Sequence, residues 1–272
     1  MFIFSVWDDI CRELSNDKKC IRADEILSQK DNSEWIVIKH DVETDVEKAL
    51  ELAKIESKYN LRATYYVQAY LMEVNVAKLK EIQTLGHEVT YHYDVLDANN
   101  GSFEKALIEF ETTIGHFEKN GFNVKTVCPH GNPVMIRDSW SSNKDFFRND
   151  AVKQNFSEIL DIVVELPNIV KYGYTYISDA GYGWKEIVNV QDNDKQNNGD
   201  IDLDSYKSCI DVIINNDRVI LSTHPHRWEE KSLVYISKII RFKALRLTAR
   251  VISKIPFFKK IFSKYYYLAK RI

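Results

Sequence analysis

Four stretches of this chain carry histidine and acid residues immediately after an apolar, strand-like run. Ile36-Val37-Ile38-Lys39 leads into His40-Asp41-Val42-Glu43, and Gly86-His87-Glu88-Val89-Thr90-Tyr91 into His92-Tyr93-Asp94. Val127-Cys128-Pro129 leads into His130-Gly131, and Val219-Ile220-Leu221-Ser222-Thr223 into His224-Pro225-His226. Buried strands that end this way deliver their side chains to one rim of a sheet or barrel, the rim where α/β folds bind ligands. Imidazoles and carboxylates converging there suit a metal site or an acid–base site.

Residues i and i+2 of a strand point to the same side, so Asp41 and Glu43 share a face. One carboxylate can then bind a metal while the other acts as general base. The same two acids can instead open the following helix, whose dipole favours negative charge at its start. His87 and His92 are an odd number apart and fall on opposite faces. His92, nearer the strand's C-terminal end and on the face of Asp94, is the better ligand, although a lone histidine is more often structural. Pro129-His130-Gly131 is a tight turn that aims a side chain and backbone N–H groups at the rim, as an oxyanion hole requires.

The elements that position these groups alternate. Residues 35–42 read as a strand, and Thr44 to Tyr59 as a helix with Thr44 as N-cap and Glu47 three residues on. Arg62 to Val67 is a strand, Asn75 to Leu85 a helix ended by Gly86, and Glu88 to Tyr93 a third strand. Ser102 caps a helix to about Asn120, closed by Gly121, before a strand over Asn123 to Cys128. After a less regular region come a strand over Tyr174 to Ser178, a loop at Gly181 to Trp184, and a polar surface loop at Gln191 to Asp200. A helix at Leu203 to Ile214 and a strand at Arg218 to Thr223 follow. Strand–helix alternation predicts parallel βα units, in an open sheet or a barrel. No glycine-rich nucleotide fingerprint follows any strand.

The chain has 272 residues, 44% hydrophobic and 28% charged, the composition of an ordinary globular protein. Its four cysteines are scattered, with no C-x-x-C pair, and read as small buried residues in a reducing compartment. An acidic start and the lack of a long apolar run imply a cytoplasmic protein without a signal peptide or membrane span. The net charge of −3 hides an asymmetry, because residues 232–272 hold eleven Lys and Arg and no acid. We therefore expect a domain over 1–231 and a basic amphipathic helical tail over 232–272, broken by Pro256. Such a tail suits peripheral contact with an anionic membrane, at about 1 kcal/mol per engaged basic residue. A helix packed on the domain with a solvated basic face fits the same pattern. No recognised motif supports nucleic acid.

Taken together, the four stretches resemble the polysaccharide deacetylases of the NodB-homology type, carbohydrate esterase family four. His40-Asp41-Val42-Glu43 resembles a subgroup whose first motif reads His-Asp-Val-Asp. Gly86 to His92 resembles the lead-in to the second motif and puts His92 at its first metal histidine. The motif's second histidine falls at Leu96, which cannot bind a metal. Val127-Cys128-Pro129-His130-Gly131 resembles the family's Arg-x-Pro-Tyr-Gly, Ser178 to Trp184 its Asp…Trp segment, and Leu221 to Pro225 its last motif.

The resemblance covers roughly residues 35–228 and implies an α/β fold, a distorted (β/α)7-type barrel, followed here by the C-terminal basic helices. It implies a metal-dependent hydrolase that removes an acetyl group from an N-acetylated sugar, with bacterial surface polysaccharide biosynthesis as its setting. Asp41 would be the base, and His224 the acid that protonates the leaving amine. Glu43 and His92 would bind a divalent metal, zinc by preference, with His130 taking the missing place and Asp94 second in line. Backbone N–H groups near His130 would hold the oxyanion, and Asp179 and Trp184 would meet the carbohydrate, lipid-linked forms included. A catalytically inactive sugar-binding relative and a different metal hydrolase on the same barrel are the alternatives.

Overall fold

The computed structural model describes residues 1–252 apart from 18, 32, 133, 134 and 195–198. Ten strands occur among them: β1 Cys20–Ile21, β2 Trp35–Val42, β3 Thr64–Val67, β4 Glu88–Tyr93, β5 Thr126–Pro129, β6 Leu160–Asp161, β7 Thr175–Ser178, β8 Trp184–Glu186, β9 Ile201–Leu203 and β10 Arg218–Thr223. They form one sheet in the order β6-β5-β4-β3-β2-β10-β7-β8-β9, with β1 beside β2. Every pairing from β6 to β7 is parallel, and the two pairings at β8 are antiparallel. The fold is therefore mixed α/β with a mostly parallel sheet, as the strand–helix alternation predicts.

Two apolar clusters lie on the two faces of this sheet. On β2, Ile36, Ile38 and Val42 join the outer cluster, against Trp7, Ile10 and Leu14 of the helix Phe4–Leu14 and Leu50 and Ala53 of the helix Val46–Lys58. Trp35 and Val37 point the other way, into a cluster with Tyr66, Cys128, Leu160, Ile162, Tyr176 and Ile220. That inner cluster draws on β6 and β7 together, although six strand spacings separate them along the ladder. In a flat sheet they would stand ~29 Å apart. The sheet is curved inward, and no ladder joins β6 to β7 among the described residues.

Burial on both faces explains why β2 is an apolar run rather than an alternating one, with all eight residues buried. The helix after it is capped by Asp45, not Thr44: the Asp45 carboxylate accepts from the Lys48 N–H at 3.1 Å. Such a cap contributes about 1 kcal/mol. Ser102 caps its helix as expected. The helix expected from Leu203 begins at Tyr206, because Ile201–Leu203 pairs with β8 and Ser205 takes the cap. Gly101 closes the turn before the helix Phe103–Lys119 with φ +80, and a Cβ there would lie 2.4 Å from the Trp140 ring.

The last described element is the helix Ser232–Ile252. Tyr235 packs at 6.2 Å from the Phe2 ring, and Phe242 at 4.8 Å from Tyr182. The second tail helix, expected beyond Pro256, lies outside the described residues, as does the centre of the expected Gln191–Asp200 loop. No helix among the described residues is long and apolar enough to cross a membrane.

Candidate functional site

The inner face of β2 carries Lys39 and Asp41, and continues to Glu43. The Lys39 Nζ is fully buried and donates to Asp41 Oδ1 at 2.6 Å and Oδ2 at 2.8 Å. Burial would raise the Asp41 pKa, but the Lys39 ammonium overrides it and holds the carboxyl at about 2. His40, on the opposite face, turns away from the site. Its Nε2 meets Glu56 Oε1 at 2.7 Å and its Nδ1 meets Thr223 Oγ1 at 2.6 Å, beneath Trp7 and Tyr65.

The same alternation separates the two histidines of the second stretch. His87 faces the outer layer, where its Nδ1 accepts the Ala63 N–H at 3.0 Å and its Nε2 lies 3.1 Å from the Ala53 carbonyl. His92 faces inward. Its Nδ1 lies 3.0 Å from the Cys128 carbonyl, which can only accept, so Nδ1 carries the proton and the Nε2 lone pair faces the rim of a neutral ring. Burial lowers the His92 pKa, which favours that neutral form.

Glu43, His92 and His130 converge. Their ligand atoms lie within 4.8 Å of one another. Glu43 Oε1 is 3.1 Å from His130 Nδ1 and 3.9 Å from His92 Nε2, and the two ring nitrogens are 3.2 Å apart. Tetrahedral ligands at about 2.1 Å from a zinc ion stand about 3.4 Å apart, so the spacing and the His/His/carboxylate set both fit a divalent metal. Burial would raise the Glu43 pKa, but the His130 and His92 imidazoles hold it well below its usual range. Asp41, His92 and Cys128 form a second such group, with the Cys128 Sγ 3.3 Å from Lys39 Nζ.

Leu96 is wholly buried in the outer cluster, so the second-motif position is part of the core. Its neighbour Asp97 has a different task. Asp97 accepts both guanidinium arms of Arg137 at 2.7 and 2.6 Å, the Trp140 indole at 2.7 Å and the Asn143 amide at 3.0 Å. Asn143 Nδ2 in turn donates to the His130 carbonyl at 2.9 Å. The loop that carries His130 is thus fastened through Asn143 to Asp97, the residue next to Leu96.

His224 closes the rim. Its Nδ1 is 2.6 Å from Asp179 Oδ1, and its Nε2 stands 3.9 Å from Asp41 Oδ2 and 4.0 Å from Glu43 Oε1. His226 Nδ1 lies 3.9 Å from Glu43 Oε2.

Three expectations change. Asp179, expected against substrate, is completely buried, accepting hydrogen bonds from His224 Nδ1 at 2.6 Å and from the Arg227 guanidinium at 2.8 Å. Trp184 packs against Phe2 and Trp228 at 5.1 and 6.2 Å in the outer cluster, away from the rim, because it begins an antiparallel strand rather than a loop. The His130 backbone N–H is committed to the Tyr93 carbonyl at 2.7 Å, since the β4–β5 ladder runs one residue further than expected, so it is not an oxyanion donor. Lys39 and Cys128 also face this site, and both sit inside apolar runs where no spacing marks them as part of it.

No family model matches the sequence, and no curated protein matches it. Solved structures do. A CE4 family pseudoenzyme from Bacillus anthracis aligns at 12% identity and TM-score 0.46, over 80% of this chain and 63% of that one. The chain thus spans less than two thirds of that structure's length. A Streptococcus mutans CE4 esterase aligns at 14% identity and TM-score 0.45, over 84% of this chain and 89% of that one. The catalytic domain of a peptidoglycan N-acetylglucosamine deacetylase from Eubacterium rectale aligns at 15% and 0.45, over 79% and 86%.

Proposed function

We propose that this chain is a metal-dependent hydrolase that removes the acetyl group from an N-acetylated sugar. One observation carries the reading: the Glu43, His92 and His130 donors meet within 4.8 Å on the same rim as Asp41 and the Asp179–His224 pair. Glu43, His92 and His130 would hold the metal, with zinc as first choice. Bound there, zinc supplies Lewis acidity toward a carbonyl oxygen and lowers the pKa of water.

The chain's own groups divide the proton work. Asp41 is ionised at neutral pH and takes a proton from the attacking water as its oxygen bonds to the acetyl carbon. His224 gives the Nε2 proton to the nitrogen as the C–N bond breaks, leaving acetate and a free amine. Asp179 keeps the ring oriented through its bond to Nδ1. Elemental analysis for zinc and acetate release from N-acetylated sugars test the proposal. Both are expected, with acetate release lost in Asp41→Ala and His92→Ala. A protein with no metal and no affinity for added zinc overturns it.

A second reading rests on Lys39. An ammonium gripping both oxygens of Asp41 makes it a weak base, which suits a non-catalytic sugar-binding relative. Zinc binding without acetate release from any acetylated sugar would select this reading.

We also propose that residues 232–272 touch a membrane surface, which would place the protein beside lipid-linked glycans during surface polysaccharide assembly. Leu233 is 81% and Ile240 64% exposed on the helix Ser232–Ile252, which carries Lys and Arg but no acid. Sedimentation with anionic liposomes should be lost when residues 236–272 are deleted, and unchanged binding would exclude the role.

A further inference from the structure

Tyr235, Lys238 and Phe242 share one face of the helix Ser232–Ile252, one or two turns apart. That face meets the domain, whereas Leu233 and Ile240 on the other side stay exposed. Directly after His224 the chain makes a single 3-10 turn, Pro225–Arg227. The His224 carbonyl accepts the Arg227 N–H at 2.9 Å, and the Pro225 carbonyl accepts the Trp228 N–H at 3.1 Å. The His226 carbonyl comes next, and like the last carbonyls of any helical turn it needs a donor from outside. Lys238 supplies one. Its Nζ donates to that carbonyl at 2.6 Å and to Glu229 Oε1 at 2.6 Å. Glu229 Oε1 also accepts from Lys48 at 2.6 Å, in the first turn of the helix that follows Glu43.

Phe242 reaches the acid by a second route. Its ring packs 4.8 Å from Tyr182, and the Arg227 guanidinium lies 5.8 Å from the same Tyr182 ring. Arg227 donates to the Asp179 carbonyl at 2.7 Å and to Asp179 Oδ1 at 2.8 Å. Tyr182 holds φ +64, a left-handed backbone that a tyrosine keeps only where its surroundings fix it. The turn that carries His224 and the carboxylate on its Nδ1 therefore both rest on this helix.

We propose that Lys238 is a positioning residue for the acid. It fixes the turn after His224, so that the imidazole stays on Asp179 with Nε2 toward Asp41 and Glu43, at 3.9 and 4.0 Å. His224 is the acid on the deacetylase reading above, on which this inference rests. The His226 ring on the same turn faces Glu43 Oε2 at 3.9 Å, so a shift of the turn moves both imidazoles. A displacement of ~1 Å at such a site can cost about a hundredfold in rate. The site then needs chain beyond residue 231, and a domain cut at 231 would not hold its acid.

Lys238→Met keeps the methylene stem and leaves Glu229 its Lys48 partner, so no charge is stranded. Lys238→Arg keeps a donor. The readouts are kcat for acetate release from N-acetylglucosamine oligomers, zinc content, Tm, and the downfield proton resonance of the His224 Nδ1–H that Asp179 accepts. In Lys238→Met, kcat should fall by about 10- to 100-fold with zinc unchanged, and the resonance should broaden or vanish. Lys238→Arg should restore both. A lowered Tm with kcat and resonance unmoved would mean a merely structural lysine and overturn the proposal. So would a loss that Lys238→Arg shares in full, or zinc lost together with kcat. If wild type releases no acetate, the hydrolytic reading fails and the resonance decides alone. Lost in Lys238→Met and kept in Lys238→Arg, it upholds the positioning role; kept in both, it overturns it.

Discussion

The Lys39 ammonium and the Asp41 carboxylate meet inside the curved sheet with both oxygens engaged, at 2.6 and 2.8 Å. They leave β2 two residues apart on one face, so the strand's own pleat creates the pair. Removing one partner strands the other as a buried charge, at a cost of about 3–5 kcal/mol. Lys39→Met should lower the stability measured in urea by that order, and Lys39→Met/Asp41→Asn should recover much of it.

The proposed metal donors and the proposed acid are separable. Glu43→Gln, His92→Ala and His130→Ala should each lose stoichiometric zinc in elemental analysis, whereas His224→Ala should keep it. Asn143→Ala should weaken zinc tenfold or more, because groups that orient a ligand typically contribute 10–100-fold. Zinc retained in full by His130→Ala would remove that residue from the set.

In the proposed mechanism His224 is oriented by Asp179, 2.6 Å from its Nδ1. In Asp179→Asn the ring loses the carboxylate that fixes its tautomer, and Arg227 loses its partner. We expect kcat on an N-acetylated sugar to fall by about 10²–10⁴ with zinc content unchanged. The loss of zinc instead would mean that Asp179 supports the metal site.

Away from the rim, Glu88 gives a pH signature. Burial, with the nearby Asp24 carboxylate adding to it, raises the Glu88 pKa from 4.5 to about 7. Between those values the folded protein holds a proton that the unfolded chain has released. Stability therefore falls as pH rises through that window, by up to roughly 3 kcal/mol, and levels above about 7. Glu88→Gln should flatten Tm between pH 5 and 7 and raise it at pH 8. An unchanged slope would assign the effect to another group.

Much of the scaffold was legible from residue patterns. The strands at 35–42 and 218–223 match their expected bounds, because a long β-branched run bounded by polar residues has one good backbone choice. The helix Phe4–Leu14 buries Trp7, Ile10, Cys11 and Leu14 as a stripe, and its pattern was legible in the sequence although no helix was expected there. The short strands β6, β8 and β9 carry two or three residues each, too few for any periodicity to register.

Side-chain direction along a strand is local, and the sequence alone determined it. Asp41 and Glu43 share a face, and His87 and His92 oppose each other, because the pleat repeats every two residues. Which imidazole meets which carboxylate is not local. β10 lies between β2 and β7, and that strand order brings Asp179 to His224 across 45 residues and Thr223 to His40 across 183. Only the tertiary structure decided that His130 meets Glu43 and His92 while Leu96 joins the core, that His40 serves the outer layer, and that Lys39 holds Asp41. Each depends on the curvature that turns one face of the sheet inward, where a buried charge persists only beside a partner.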